Sequence, residues 1–267
     1  MKPIYIQAVD ILTPGLEGWL AAQPVLSGQQ PYLPSQDLAP KYQATLLPPN
    51  DRRRATSLTR LVFQLGELLL KRYPTLDASQ WQTVFASSGG DYQIIDSICQ
   101  DLARDSDISP TQFHNSVHNA VAGYWSIATA NIQPSTSIAA YNATFAAAMV
   151  EASLLAGDSE QPVFCCIYDA TAFGLLKSLR NISQSFASAF LLETARSDAS
   201  LGQINCRLVQ GNAVPPCSDP ALEALRLGNS AARALPLLEA IAQNRSATLF
   251  FEMPTGQLAV DFVAYGR

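Results

Sequence analysis

The stretch PSTSIAAYNATFAAAMVEA, residues 134–152, predicts a short strand, a sharp turn at Tyr141-Asn142 and an alanine-rich helix. A corner between a strand and a helix often carries a nucleophile at its tip, above the helix N-terminus. Here the tip holds Tyr141 and Asn142, and neither side chain is a nucleophile in such a setting. The stretch therefore predicts the scaffold of a catalytic corner without its nucleophile.

Asn142 and the small residues after it also have structural interpretations. The Asn142 side chain can accept hydrogen bonds from the free N–H groups of a helix that starts at Ala143. The run Ala146-Ala147-Ala148 leaves little side chain on this helix, so a sheet or another helix can approach closely. Such a helix suits tight internal packing and a packed subunit interface equally well, and both remain open.

Predicted strands and helices alternate outward from this corner. Strands are predicted at 3–12, 81–86, 135–140, 162–169, 185–194 and, as a closing pair, within 247–263. Helices are predicted at 51–73, 91–104, 109–130, from 143 onward and at 220–243, and the proline-rich segment 24–50 is predicted as a long surface excursion. This coarse βαβαβαββ order with a shorter mixed tail is typical of an α/β sheet covered on both faces.

Composition and charge exclude several classes of protein. The chain has 267 residues, of which 48% are apolar and only 15% are charged, and its net charge is −5. Binding of nucleic acid needs clustered Lys and Arg, and the one basic cluster, Arg52-Arg53-Arg54, is too short for it. Soluble domains average roughly 25% charged residues. The low charge fits a surface covered by a partner, although a large core has the same effect.

The N-terminus and the cysteines predict a cytoplasmic protein. The first residues, MKPIYIQAVDILTPGLEGW, do not resemble a signal peptide, and no apolar run reaches the roughly 18 residues of a membrane span. The five cysteines include no CxxC pair, and Cys165-Cys166 lie in the apolar run PVFCCIY. This pattern is typical of a reducing compartment, without disulfides or a zinc site.

The remaining chemical candidates are few, and no cofactor is expected. His114 and His118 have the i, i+4 spacing of one helix face, but a zinc site needs further ligands and no candidate stands out. We therefore expect a polar helix face or an interface pair instead of a metal site. The Ser88-Gly89-Gly90 segment is expected to be a turn, since a short glycine-rich turn alone does not make an anion cradle.

The segment 109–152 resembles the β-ketoacyl synthases of fatty acid and polyketide synthesis without a gap. Ser109-Pro110 is similar to the Ser-Pro loop of that family, and Asn119 with Ala122-Gly123 is similar to its Asn-x-x-Ala-Gly helix. Asn142 lies at the position of the family's nucleophilic cysteine. PIYIQAVDILTP, DRRRATSLTRL and ASAFLLE resemble the family's first strand, its first long helix and a strand that ends in glutamate.

The resemblance implies a thiolase-like layered fold with a complete N-terminal half, residues 1–210, and a reduced C-terminal half, residues 211–267, packed on the same domain. GNSAARALPLLEAIA and PTGQLAVDF resemble shortened remnants of that second half. The family carries two catalytic histidine motifs there, but this chain has no histidine after His118. Claisen condensation needs a thiolate to hold the acyl chain and donors that stabilise developing charge. The resemblance therefore implies no catalytic residues in this chain.

Within this superfamily the chain is similar to chain length factors, which pair with a catalytic ketosynthase. It is most similar to the partner subunit in aryl polyene biosynthesis of Gram-negative bacteria. The resemblance implies a heterodimer in which this subunit shapes the acyl tunnel and the acyl carrier protein docks mainly on the catalytic partner. Strand 135–140 would lie at the sheet edge and pair with its equivalent in that partner. The implied interface and tunnel residues are Thr111, Gln112, Phe113, Ser135, Ile138, Tyr141 and Asn142.

Two other classes remain open. A self-sufficient acyltransferase or decarboxylase would use Tyr141 or a cysteine elsewhere, and it predicts turnover by the isolated chain. A homodimeric, non-enzymatic binding protein of the same fold predicts a homodimer that does not bind a ketosynthase.

Overall fold

The chain folds into strands and helices that alternate along the sequence. The computed structural model describes residues 2–35, 42–172, 174, 176–180 and 182–266. The strands are β1 Ile4–Thr13, β2 Leu16–Glu17, β3 Gln82–Ala86, β4 Ser135–Ile138, β5 Val163–Asp169, β6 Phe186–Glu193, β7 Gly202–Val209, β8 Ala247–Glu252 and β9 Gln257–Ala264. The helices are α1 Trp19–Leu26, α2 Pro49–Arg54, α3 Ser57–Arg72, α4 Tyr92–Ala103, α5 Pro110–Ser116, α6 Ala120–Thr129, α7 Thr144–Ser159, α8 Leu176–Leu179, α9 Pro220–Gly228 and α10 Leu235–Ala242.

Over these ranges the nine strands form one mixed sheet. Its order is β4-β3-β5-β6-β1-β7-β9-β8, with β2 paired to β1. Strand β3 runs parallel to β4 and β5, and the other pairs are antiparallel. The sheet continues from the N-terminal to the C-terminal part of the chain, because β1 pairs with β7 and β7 pairs with β9.

Strand β5 shows how the sheet separates two apolar cores. All seven of its residues are buried, and alternate residues point to opposite faces. Cys165 packs with α7 and the C-terminal helices, whereas Cys166 packs with α3 and α6 on the other face. Burial raises the pKa of both thiols, so they behave as the small buried hydrophobes that the sequence predicted.

The prediction of one continuous helix over 51–73 is wrong. It is divided into α2 and α3, because Ala55 is extended and the Thr56 hydroxyl accepts a hydrogen bond from Thr59 N at 3.2 Å. Thr56 is thus the N-cap of a new helix.

The predicted helix 109–130 is also divided. Helix α5 ends at Ser116 because Val117 is extended, and α6 begins at Ala120. His114 and His118 therefore do not share a helix face. His118 Nε2 lies 2.9 Å from Ser87 O, and the His114 ring meets the Tyr124 ring edge-on at 6.0 Å.

The predicted helix 220–243 consists of α9, a 3₁₀ turn at Ala231–Ala234 and α10. Asn229 leaves the helical conformation, and its Oδ1 accepts from Ala231 N at 2.8 Å. Its Nδ2 donates to Gln184 O at 2.8 Å. These bonds to two other segments explain the interruption that the helical periodicity did not reveal.

Other differences concern strand bounds and an unpredicted strand. Strand β4 ends at Ile138, two residues before the predicted limit. Strand β7, which joins the two parts of the sheet, was not predicted, although its apolar residues Ile204, Cys206 and Leu208 alternate with polar residues as expected for a strand with one exposed face. The predicted excursion 24–50 begins inside α1, and its residues 36–41 lie outside the described residues. Among the helices of the described ranges, none has the length and apolar character needed to cross a membrane.

Candidate functional site

The corner after β4 is a tight turn held by Thr144. The chain passes from β4 through a 3₁₀ turn at Tyr141–Ala143 into α7, and Tyr141 has a left-handed backbone with φ of +50°. Thr144 Oγ1 accepts a hydrogen bond from Ala140 N at 3.1 Å and donates to Tyr141 O at 2.7 Å. This local bonding keeps an uncommon backbone conformation at the tip of the corner.

The predicted N-cap role of Asn142 is wrong. Helix α7 begins at Thr144, and its capping position is occupied by Ala143 without a side-chain cap. Asn142 Oδ1 instead accepts from Arg180 Nη1 at 3.3 Å and from Ser230 Oγ at 3.1 Å. The amide turns away from the helix because two donors from other segments compete for its oxygen.

Arg180 and Ser230 complete a closed polar group with Asn142. Arg180 Nη2 donates to Ser230 Oγ at 2.7 Å, and the Arg180 guanidinium carbon lies 3.8 Å from the centre of the Tyr141 ring. Sequence reasoning missed both partners. They are 38 and 88 residues from Asn142 along the chain, and no local motif marks them.

An open cleft of about 160 Å³ lies beside this group. Its lining is mostly polar and includes some apolar side chains. The lining residues are Tyr141, Asn142, Leu179, Arg180, Ile182, Leu227, Gly228, Asn229 and Ser230. On another side of Asn142 is a small cavity of about 10 Å³, which Arg226, Arg233 and Phe251 also line. That volume suffices for about one water molecule.

Asp169, at the end of β5, is a buried acid near this corner. Its Oδ1 accepts from Ser87 Oγ at 2.9 Å and from Ser88 N at 2.8 Å, while its Oδ2 is buried without a hydrogen bond. Burial raises the pKa of the carboxyl to about 6, although the bonds from Ser88 and Ser87 and the charge of Arg180 oppose that rise.

The turn after β3 uses its N–H groups internally. Ser88 N donates to Asp169, and Gly90 N donates to Ser87 Oγ at 2.9 Å. The N–H groups of Ser88 and Gly90 are therefore already bonded within the protein. The segment is a turn, as the sequence suggested. In the described part of the chain, His, Cys, Asp and Glu form no group of three or more that could hold a metal ion.

Strand β4 forms one edge of the sheet. In the described ranges it pairs with β3 alone. Apolar side chains near it in sequence face solvent: Ile132, three residues before β4, is 94% exposed, and Tyr141, three residues after it, is 59% exposed. An open strand edge with exposed apolar side chains is the kind of surface that another chain covers.

The sequence-derived interface and tunnel residues fall into two groups. Thr111 and Phe113 lie on α5, and both are exposed, Phe113 to 64%. Helix α5 contacts α6, and α6 contacts β4. Three others have internal partners. Gln112 accepts from Ser109 N and donates to Ser97 Oγ, Ser135 Oγ accepts from Thr83 Oγ1, and Ile138 packs against the apolar core.

Comparison with known proteins agrees with this architecture. Residues 26–250 match the family model of the β-ketoacyl synthase N-terminal domain. The fold is similar to a chain in the complex of a ketosynthase with its chain length factor from Xenorhabdus doucetiae, with 22% identity, a TM-score of 0.73 and coverage of 98% of this chain and 100% of that chain.

Two further solved structures have a similar fold. The ishigamide ketosynthase/chain length factor has 14% identity and a TM-score of 0.73, with coverage of 99% of this chain and 100% of that chain. A β-ketoacyl synthase from Burkholderia phymatum has 13% identity and a TM-score of 0.60, with coverage of 87% of this chain and 71% of that chain. No curated protein matches the sequence. The similarity confirms the predicted α/β, thiolase-like fold. Because the family model matches most of the chain, this protein belongs to the β-ketoacyl synthase N-terminal domain family.

Proposed function

We propose that this protein is a non-catalytic chain length factor of the cytoplasm, which pairs with a catalytic β-ketoacyl synthase and shapes its acyl tunnel during elongation of a carrier-protein-bound chain. One observation carries the proposal. Asn142, where the family resemblance implies a cysteine, has its amide oxygen bound by Arg180 and Ser230. An amide cannot form the acyl thioester that condensation requires.

The thiols near the core do not replace the missing nucleophile. Cys165 and Cys166 are fully buried in β5, and Cys217 is also buried. Burial raises the pKa of each of these thiols, which keeps them protonated. Neither cavity beside Asn142 is lined by a histidine or a cysteine from the described residues. These features support a subunit that relies on a partner for chemistry.

The open edge of β4 supports the pairing role. In parallel pairing, alternate residues direct their N–H and C=O groups toward the neighbouring strand. Pro134 O and Ile138 O accept bonds from β3, so the backbone groups of Ser135 and Ser137 point to the free side. Two proteins of similar fold are described as a ketosynthase with a chain length factor. We propose that the partner's equivalent strand occupies this edge.

Thr111, Phe113 and Tyr141 are our candidates for side chains that limit the tunnel. Their exposure on the isolated chain leaves them available to a partner. Gln112 would position α5 through its bonds to Ser109 and Ser97, and Ser135 and Ile138 would contribute to the paired edge. In this proposal the acyl carrier protein docks mainly on the catalytic subunit, and residues 211–267 serve as the reduced C-terminal half packed on residues 1–210.

The experiment is co-expression of this chain with a ketosynthase encoded next to it, followed by native mass spectrometry. We expect a 1:1 complex that condenses acyl chains, while the isolated chain shows no turnover with malonyl and acyl thioesters. A stable homodimer that ignores the ketosynthase would contradict the pairing role. Turnover by the isolated chain would instead support an independent enzyme.

A further inference from the structure

Arg180 is a cation whose position is determined by neutral groups. Its two terminal nitrogens donate to Asn142 and Ser230, and its guanidinium lies over the ring of Tyr141. It makes no ion pair with a carboxylate of the described residues. Asp169, which its charge influences, is fully buried and bonded to Ser87 and Ser88. The positive charge in the cleft is therefore left without a directly bonded counter-ion.

Hydrogen-bond donors exceed acceptors around this cation. Asn142 Oδ1 already accepts two bonds, and Ser230 Oγ both accepts from Arg180 and donates to Asn142. Arg180 Nε is buried without a partner, and Asn142 Nδ2 donates to no group of the described residues. The hydroxyls of Tyr92 and Tyr141 also interact with the guanidinium, but both are neutral groups. A guanidinium that no carboxylate of the described residues pairs with, beside an amide N–H without an acceptor, is complementary to an oxyanion.

The charge on the other side of Asn142 has the same sign. Arg226 is paired with Glu223 at 2.6 Å, but Arg233 reaches Glu252 only at 4.0 Å and its buried Nε has no partner. Burial and the charge of Arg226 lower the pKa of Arg233, as expected for a cation that is incompletely compensated. Asn142 thus lies between Arg180 and Arg233, each of which has a buried Nε–H without a hydrogen-bond acceptor among the described residues.

The cleft also has room for a ligand. Its volume of about 160 Å³ is close to the ~150 Å³ of an engineered cavity that binds benzene. Leu179 and Leu227, both largely exposed, are among its lining residues. A small charged group would match the Arg180 and Asn142 side chains in this lining.

We propose that the cleft beside Asn142 binds a small oxyanion, a carboxylate or a phosphate group, through Arg180 and the Asn142 amide. This site goes beyond the pairing role, because it requires residues of this chain only. It also gives the corner a use that does not depend on a nucleophile.

The test is isothermal titration of the full chain, or of its purified complex, with sodium malonate and with inorganic phosphate at constant ionic strength. We expect saturable binding of at least one anion, and the tighter of the two identifies a carboxylate or a phosphate site. Arg180→Gln should weaken binding by about tenfold or more, because a charged donor is lost. Arg53→Gln is the matched control: Arg53 also donates to a neutral partner, Asn50, but lies on exposed α2.

A second variant keeps the proposal testable if Arg180→Gln fails to fold. Asn142→Asp would place a carboxylate against Arg180, and this internal anion should abolish binding of both probes while preserving the guanidinium. Absence of saturable binding in the native chain, or equal affinities in the native chain and in folded Arg180→Gln or Asn142→Asp, would overturn the proposal. Formation of the 1:1 complex is measured separately, so failure of anion binding is distinguishable from failure to pair.

Discussion

The Arg180 guanidinium carbon lies 3.8 Å from the centre of the Tyr141 ring, so a cation covers an aromatic face at the tip of the strand–helix corner. Tyr141 has a left-handed backbone, and the Thr144 hydroxyl donates a hydrogen bond to its carbonyl. The contact joins the corner to the segment after α8. It therefore connects the position of the missing nucleophile to a region of the chain that local sequence did not associate with it.

The first prediction concerns this cation–aromatic contact. Tyr141→Leu should lower the free energy of unfolding by about 0.5–1 kcal/mol, because an exposed cation–π contact is lost. Tyr141→Phe should cost much less, since it retains the ring and has the same backbone requirement. Urea denaturation of both variants measures the difference. Equal losses would assign the effect to the hydroxyl group instead of the ring face.

Asp169 makes stability depend on pH. Its folded pKa of about 6 lies above its ordinary value of 3.8, so the folded state binds the proton more tightly. The associated stabilisation is fully present below pH 3.8 and is lost as pH rises through about 6. Its size is about 3 kcal/mol at most, since one pKa unit corresponds to about 1.36 kcal/mol.

Asp169→Asn should flatten the pH dependence of the unfolding free energy between pH 4 and about 6, the window set by those two values. Asparagine keeps an oxygen to accept from Ser87 and Ser88 but cannot ionise. Denaturant titrations across this window measure the slope. The exposed acid Asp198 is the control, and Asp198→Asn should leave the slope unchanged. An unchanged slope in Asp169→Asn would mean that another group titrates there.

Two helical glycines should respond in opposite directions to alanine. On Gly66 in α3, a Cβ atom would lie 2.5 Å from the Trp125 ring, so Gly66→Ala should destabilise the fold by about 1–3 kcal/mol through overpacking. On Gly123 in α6, no atom of the described residues outside its chain neighbours and its own helix backbone lies within 4 Å of that position, so Gly123→Ala should stabilise the chain by roughly 1 kcal/mol. Chemical denaturation of the two variants tests the pair. The same sign for both would mean that packing against Trp125 does not control the outcome.

Ser137→Pro tests the proposed strand pairing. The Ser137 N–H points to the free side of β4, so proline there removes an outward donor and keeps the bonds to β3. We expect the complex with the ketosynthase to weaken by at least about tenfold, measured by native mass spectrometry or titration, while the isolated chain stays folded. Ser137→Ala is the control, since it keeps the N–H. A proline variant that pairs normally would refute pairing through this edge.

Phe113→Ala and Tyr141→Ala test the tunnel role in the reconstituted complex. Removal of a bulky side chain that blocks the tunnel should lengthen the products, as measured by mass spectrometry of the released chains. Leu20→Ala is a matched control, because Leu20 is exposed but belongs to α1, away from the proposed interface. Products of unchanged length in both test variants would remove Phe113 and Tyr141 from this role.

Much of the fold was predictable because its determinants are local. The apolar runs of β1, β3, β5 and β6 and the helical spacing in α3 and α4 are properties of short windows. Helix interruptions were not predictable in this way. Val117 leaves the helical conformation beside His118, whose ring contacts Ser87 O, and Asn229 leaves it where its own side chain donates to Gln184 O. Hydrophobic periodicity contains no information about those partners.

The sequence predicted where in the chain the candidate site lies, but it did not predict which side chains contact one another there. Residue identity alone placed Asn142 where a cysteine is implied, and it showed the lack of a histidine after His118. The N-cap prediction failed because Arg180 and Ser230 supply stronger competition for the Asn142 oxygen than the helix N-terminus does.

The sequence by itself determined most of the order of strands and helices, the family and the lack of a cysteine at position 142, because each depends on residue types and their spacing along the chain. Only the tertiary structure decided that Gly66 faces Trp125 and that Arg180 meets Asn142 across 38 residues. Contacts of that kind depend on how the sheet orders its strands and where the connecting segments return. No short window of the chain specifies that path.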